Sequence, residues 1–265
     1  MMPEMTSTLP EVLSTLALDQ VNQNLFVGAQ LDGPAHHILG GHIGAQALLA
    51  AAQTVPAERT ARSLHAQFLR SGDARTPVEF EVSALHDGGT FSTRRTTARQ
   101  DGAILMESTV SFSRAAAEDP AHQPVMPAVP QPDSLPATVR PGVWSSLEWF
   151  ERRDVPGGPG LWWRPDGDPP ADPVLGRVLV AYLSAVTLVE AALLARRSTE
   201  PVSIAPMLDH SVWWHGAADL ADWVYYEQDC ASGAHRRALT TGRMFSRDGA
   251  LVCSTAQEVY FPPAR

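Results

Sequence analysis

Cysteine is nearly absent. Cys230 and Cys253 are the only two in 265 residues, too few for a disulfide framework and without metal-ligand spacing. That argues against a small disulfide-built fold and predicts a reducing, cytoplasmic setting. Basic charge is scarce too: 20 Lys and Arg stand against 29 Asp and Glu, for a formal net charge of -9. With no dense basic patch to offset it, this balance opposes nonspecific binding to nucleic acid. The first ten residues carry Glu4 and no basic region followed by a long apolar core, so they do not read as a secretory leader. The longest apolar run, 178–194, is interrupted by Ser184, Thr187 and Glu190, and is expected to be a buried helix rather than a membrane span. There is no phosphate-loop or dinucleotide glycine fingerprint, and no Ser-His-Asp framework. His36, His37 and His42 have no nearby carboxylate or cysteine to complete a ligand set, so neither a metal nor a cofactor is expected.

What the chain does have is repetition. Ser63-Leu64-His65-Ala66 running on to Asp73 is answered by Leu208-Asp209-His210-Ser211 running on to Asp219, and Asp101-Gly102 by Asp248-Gly249. The offsets are 145 residues for the histidines and 147 for the Asp-Gly pairs. Two ordered echoes at nearly one offset predict a duplicated domain, since solenoid periods are only about 20 to 50 residues. A chain of this length can bury one large core or two modest ones. Function is therefore expected between two similar halves.

Each half reads as helix followed by antiparallel strands, an α+β pattern in which the helix and the sheet cover each other's apolar faces. In the first half a short helix is expected over 10–18 and an Ala-rich one over 42–53, the latter preceded by Gly40-Gly41. Strands follow at 63–69, 78–85, 91–99 and 103–112, separated by turn residues such as Asp87-Gly88-Gly89. Seven prolines between 120 and 141 make residues 116–141 a stiff, extended connector, leaving an N-terminal unit at 1–115 and a C-terminal unit at 142–265. The second unit opens on aromatic-rich stretches at 143–150 and 161–163. A long helix at about 174–197 follows, carrying Ser184, Thr187 and Glu190 along one slowly rotating face, then strands at 207–214, 223–229, 236–246 and 250–260. That polar stripe either faces a pocket or makes ordinary hydrogen bonds.

The start of the 42–53 helix offers backbone N–H groups at Gly41 and His42 that can face a groove between the halves and hold a carbonyl as charge develops on it. His42 is equally suited to capping or packing. Of the adjacent Trp213 and Trp214, one is expected in the core and the other toward the groove or an interface, because neighbouring strand positions face opposite sides. Phe91 and Trp213 are the aromatic groove candidates.

These segments resemble the TesB-like acyl-CoA thioesterases. The resemblance is carried by residues 40–48, 63–73 and 87–95 in the first half and by Ala181-Tyr182-Leu183-Ser184, residues 208–215 and Ala256-Gln257-Glu258 in the second. It implies a double hotdog, two long helices each wrapped by an antiparallel sheet. It also implies cleavage of acyl-CoA thioesters by activated water, with neither metal nor covalent serine intermediate. A carboxylate, a hydroxyl residue and a glutamine would position that water.

Carried over position by position, the carboxylate falls on Ala185 and the hydroxyl on Met207; the glutamine alone survives, as Gln257. Ser184, beside the missing carboxylate, and Glu190, if the polar stripe turns inward, are the groups expected to compensate. Asp209 and His210 belong by the resemblance to a structural strand motif, and His65 and His210 read as structural counterparts. The leading expectation is hydrolysis of an apolar acyl-CoA thioester. The alternatives are a degenerate acyl-CoA or acyl-carrier binding protein and a repurposed biosynthetic acyl-processing enzyme. A homo-oligomer is expected because curved sheets leave edges or faces to cover.

Overall fold

A computed structural model describes residues 8–31, 36–114, 122–138, 147–196 and 205–263. The first half contributes α1 (Leu9–Leu16), β1 (Leu18–Asn22), β2 (Leu25–Gly28), α2 (Gly40–Ala52), β3 (Arg59–Phe68), β4 (Val78–Asp87), β5 (Phe91–Gln100) and β6 (Ala103–Arg114). The second contributes β7 (Phe150–Asp154), β8 (Leu161–Pro165), α3 (Pro173–Thr187), α4 (Val189–Ala195), β9 (Asp209–Trp214), β10 (Val224–Ala234), β11 (Arg237–Ser246) and β12 (Leu251–Tyr260).

All twelve strands form one antiparallel sheet in the order β1-β2-β4-β5-β6-β3-β9-β12-β11-β10-β8-β7. Read outward from the centre, both halves repeat one pattern, so β3 corresponds to β9, β6 to β12, β5 to β11 and β4 to β10. The halves join where β3 pairs with β9, with Ser63 opposite Trp213, His65 opposite Ser211 and Ala66 opposite His210. The α2 and α3 helices pack on each other inside the sheet, and the largest apolar cluster takes Leu48 and Leu64 from one half with Leu183 and Val212 from the other. The duplication thus yields a shared core rather than two closed ones.

The polar stripe divides the expected long helix. It ends as α3 at Thr187 and resumes as α4 after Leu188; residue 197, its expected end, lies outside the described residues. Ser184 Oγ donates to Ala181 O and Thr187 Oγ1 to Leu183 O, each at 2.9 Å, and such back-bonding bends helices. The Pro173–Ala195 stretch is apolar and long enough to cross a membrane by composition, yet 83% of its most apolar window is buried within the protein. Strands β1, β2, β7 and β8 are short outer strands that the alternation pattern did not resolve.

The connector, expected as a poor core former, docks on the second half where it is described. Met126, Val129 and Leu135 pack against Trp162, Trp223 and Phe245, and Trp162 Nε1 donates to Pro130 O at 2.9 Å. Residues 116–121 and 139–141 of the expected connector, and 143–146 of the aromatic stretch, lie outside the described residues.

Candidate functional site

The site is built where the start of α2 meets α3, β9 and β12. Gly40 and Gly41 lie in the first turn of α2, before its first backbone bonds, which run from His42 N and Ile43 N to Leu39 O at 2.9 and 3.2 Å. Gly41 is required by contact, and Gly40 leaves room for the Met207 side chain. A Cβ on Gly41 would sit 2.7 Å from Tyr182 Cδ2 and Val186 Cγ1 on α3, and one on Gly40 would overlap Met207 Cε. The pair therefore lets the helix start press against the second half, rather than loosening a turn ahead of it.

Gln257 is fully buried on β12, and neither Oε1 nor Nε2 has a hydrogen-bond partner. Its backbone carbonyl accepts from Thr240 Oγ1 on β11 at 3.1 Å. Beside it lies His210 of β9, whose Nε2 is 2.9 Å from Ser184 Oγ. Burial lowers the His210 pKa from 6.5 to about 4, partly offset by the neighbouring Gln257 amide, although no full hydrogen bond forms between them. The imidazole is neutral at neutral pH. Three elements thus bring Ser184, His210 and Gln257 together in a dry setting, where an unpaired amide is costly unless a ligand or water satisfies it.

The two substituted positions adjoin this group. Ala185 is buried on α3 between Ser184, which meets His210, and Val186, which meets Gly41. Met207 bridges to Val259, two residues beyond Gln257, and packs its methyl against Gly40. Where a carboxylate and a hydroxyl were sought, the protein presents methyl groups.

Glu190 is elsewhere engaged. Its two oxygens accept from Arg152 Nη1 and Nη2 at 2.7 and 2.5 Å, and Arg152 Nε reaches Asp154 at 2.5 Å. Of the two readings of the polar stripe, the structure shows buried hydrogen bonds and an ion pair: Ser184 finds His210, Thr187 accepts from Gln228 Nε2 at 3.2 Å, and Glu190 closes an ion pair with β7. Asp209 accepts from the backbone N–H of Glu258 at 2.9 Å, a strand-tying contact next to Gln257.

His42 is fully buried, its ring edge-on to Tyr182 at 5.5 Å. Burial lowers its pKa to about 4, with the Ala29 and Thr15 carbonyls partly opposing; neither ring nitrogen completes a hydrogen bond. Phe91 and Trp213, expected to line the groove, are instead 46% and 39% exposed on the outer side of the sheet. There Phe91 meets the Arg62 guanidinium and Trp213 the His65 ring, at 5.2 and 5.1 Å between centres. Alternation along β9 sends Val212 and Trp214 inward, so the inward aromatics at the ends of the two central strands are Phe68 and Trp214.

The same alternation corrects the pairing of His65 with His210. A one-residue difference in register puts them on opposite faces, His65 outside on Ser211 Oγ at 3.0 Å and His210 inside. The sequence reading gave His210 a structural role, and its place beside Ser184 follows from the in-out pattern of β9.

A cavity of about 700 Å³ opens at the β10–β11 hairpin end against α4, lined by Ala192, Cys230, Arg196, Arg236, Arg237 and Phe261 among others, and Ser184, His210 and Gln257 are not part of its lining. On β11, Ala238 of the cavity wall lies two residues from Thr240, the backbone partner of Gln257.

Comparison with known proteins agrees with this layout. Residues 30–113 match the acyl-CoA thioesterase N-terminal domain and residues 152–260 match acyl-CoA thioesterase. A tesB protein from Mycobacterium avium subs paratuberculosis is 51% identical with a TM-score of 0.87, covering 97% of this chain and 100% of that one. The chain belongs to the TesB-like acyl-CoA thioesterase family. Acyl-CoA thioesterase II TesB2 from Mycobacterium marinum is 33% identical, with a TM-score of 0.85 over 96% of this chain and 98% of its own. Acyl-CoA thioesterase 2 of Haemophilus influenzae is 27% identical over 96% of this chain and 98% of its own. The fold is an α+β hotdog fold.

Proposed function

We propose that this TesB-like protein hydrolyses acyl-CoA thioesters between two fused hotdog units, residues 1–115 and 142–265, joined by the 116–141 connector. The observation that carries the reading is the fully buried, unpartnered amide of Gln257 next to the pressed-in start of α2. The amide orients a water or the thioester carbonyl, and the Gly41 N–H at the start of α2, ahead of the His42 N–H that Leu39 O occupies, stabilises the oxyanion. Water adds to the carbonyl carbon, the C–S bond breaks, and the thiol leaves with the proton that water gave up. The arginine-lined cavity suits the anionic CoA portion. A cytoplasmic homo-oligomer in fatty-acid metabolism is the setting we infer, supported by the two free thiols and the exposed aromatics of the outer sheet face.

Glutamine has no basic site, and a histidine with a pKa of about 4 is a weak base. General-base assistance is worth about 10²- to 10⁴-fold, so hydrolysis here is expected to be slow by that factor. The methyl groups of Ala185 and Met207 favour a second reading, in which the groove binds an acyl-CoA or acyl-carrier thioester without turnover. Free-thiol release across short, medium and long acyl-CoAs separates the two. Turnover abolished by Gln257→Ala supports hydrolysis; tight binding with no thiol released overturns it.

A further inference from the structure

Duplication creates two equivalent places in the fold, and only one holds Gln257. In the first, the start of α2 packs near Phe68, the last residue of β3. Its counterpart lies near the start of α3, where Arg177 approaches Trp214, the last residue of β9. A cavity of about 360 Å³ opens there, between the start of α3, the 217–221 loop and Thr60 of β3. That size is near the lower end of the range for small-molecule sites.

Two residues of this cavity's lining carry buried donors that lack acceptors. Trp214 is only 7% exposed and its Nε1 has no hydrogen-bond partner; Arg177 Nη1 is likewise buried and unpartnered. The Arg177 guanidinium stacks on the Trp214 ring at 5.8 Å from its centre, but among the described residues it forms no ion pair. Burial holds its pKa below the usual arginine value. Cys253 interacts with it yet supplies no counter-charge, since burial pushes that thiol up to about 12. A shielded guanidinium beside a shielded indole N–H, neither satisfied, marks a place for an acceptor carrying negative charge.

The surroundings narrow the chemistry. Asp172 and Asp219 stand at the exposed rim, each already bonded to a backbone N–H, of Val174 at 2.8 Å and of Ala221 at 3.0 Å. Two rim carboxylates oppose a multiply charged phosphate more than a singly charged group. Pro169, Pro173, Val180 and Val252 supply apolar wall. We propose that this cavity is a second ligand site that takes the carboxylate of a short- to medium-chain aliphatic acid, held by Arg177 and Trp214. It does not depend on turnover at Gln257.

The test is titration of the full-length protein with octanoate by calorimetry, with methyl octanoate as the uncharged control. Octanoate binding at one site is expected, with affinity lowered about tenfold or more by Arg177→Met, lowered several-fold by Trp214→Phe, and unaltered by Gln257→Ala. The phenylalanine variant keeps the ring and removes only the N–H, so it reads the site even if Arg177→Met fails to fold. Absence of binding, equal binding of the methyl ester, or binding lost with Gln257→Ala and retained with Arg177→Met would each overturn the proposal.

Discussion

Glu190 decides between two views of the α3–α4 polar stripe, and its replacement is the most informative single change. Arg152 and Glu190 are both nearly inaccessible, at 7% and 5% side-chain exposure, and meet through two parallel hydrogen bonds. Burial is the largest influence on Arg152 and disfavours its charge, but Glu190 and Asp154 together outweigh it and hold the guanidinium above its ordinary pKa. Removing one member of such a pair leaves a buried charge uncompensated and costs about 3–5 kcal/mol. At about 2 °C per kcal/mol for a protein of this size, Glu190→Ala should lower Tm by about 6–10 °C. Replacing both by leucine should cost much less than the sum of the single changes, because no orphaned charge remains. Thermal unfolding of the two single variants and the double, with thiol release measured well below every midpoint, tests this. The reasoning fails if Glu190→Ala leaves Tm unchanged while turnover falls a hundredfold or more, since Glu190 would then act on substrate and not as the anchor of β7 to α4.

Three further outcomes follow from the same geometry. Ala185→Asp combined with Met207→Thr should raise thiol release by about 10²- to 10⁴-fold by restoring a base and a hydroxyl; no increase in a folded double variant would show that Gln257 is not aligned for hydrolysis. His42 and His210 have folded pKa values of about 4 against 6.5, so the unfolded chain binds more protons between those values. Stability should be full above about pH 6.5 and fall as pH drops toward 4, by about 3 kcal/mol per histidine. Urea midpoints at pH 7 and 4.5 check this, and His42→Gln should remove about half of the loss. Buried Cys253, with its thiol pushed up to about 12, should resist alkylation in the native state, whereas partly exposed Cys230 reacts; mass spectrometry should find one adduct before denaturation and two after.

What could be read from the chain depended on the range of the interaction. Turn residues and alternation located β3 to β6 and β9 to β12, because those signals are local. At Asp101-Gly102, for instance, both residues adopt positive φ, 49° and 75°, as a tight hairpin requires. The outer strands β1, β2, β7 and β8 span only four or five residues each, too few for a clear period. Glu190 showed its helix face but not its partner, since Arg152 lies 38 positions away on a strand with no strong pattern. The site was legible at Gln257 through family resemblance alone. The resemblance also named the Ala185 and Met207 positions, whereas the place of His210 beside Ser184 required knowing which side of β9 points inward.

That inward direction also explains why a duplicated chain needs only one catalytic centre. The β3–β9 junction is shared, so each half furnishes one wall of each of two related places, and the two can diverge without disturbing the common core. At the α2 place, small residues permit contact: Gly40 and Gly41 admit Met207 and Tyr182, and the polar group of Ser184, His210 and Gln257 lies close by. At the α3 place, Arg177, the fifth residue of the helix, brings a charge to the cavity wall. Its guanidinium lies over the Trp214 ring and supplies a positive charge there. Hydrolytic alignment and anion capture make different demands on the N-terminal half of a helix, close backbone approach in one and a reaching side chain in the other, and duplication lets one chain meet both.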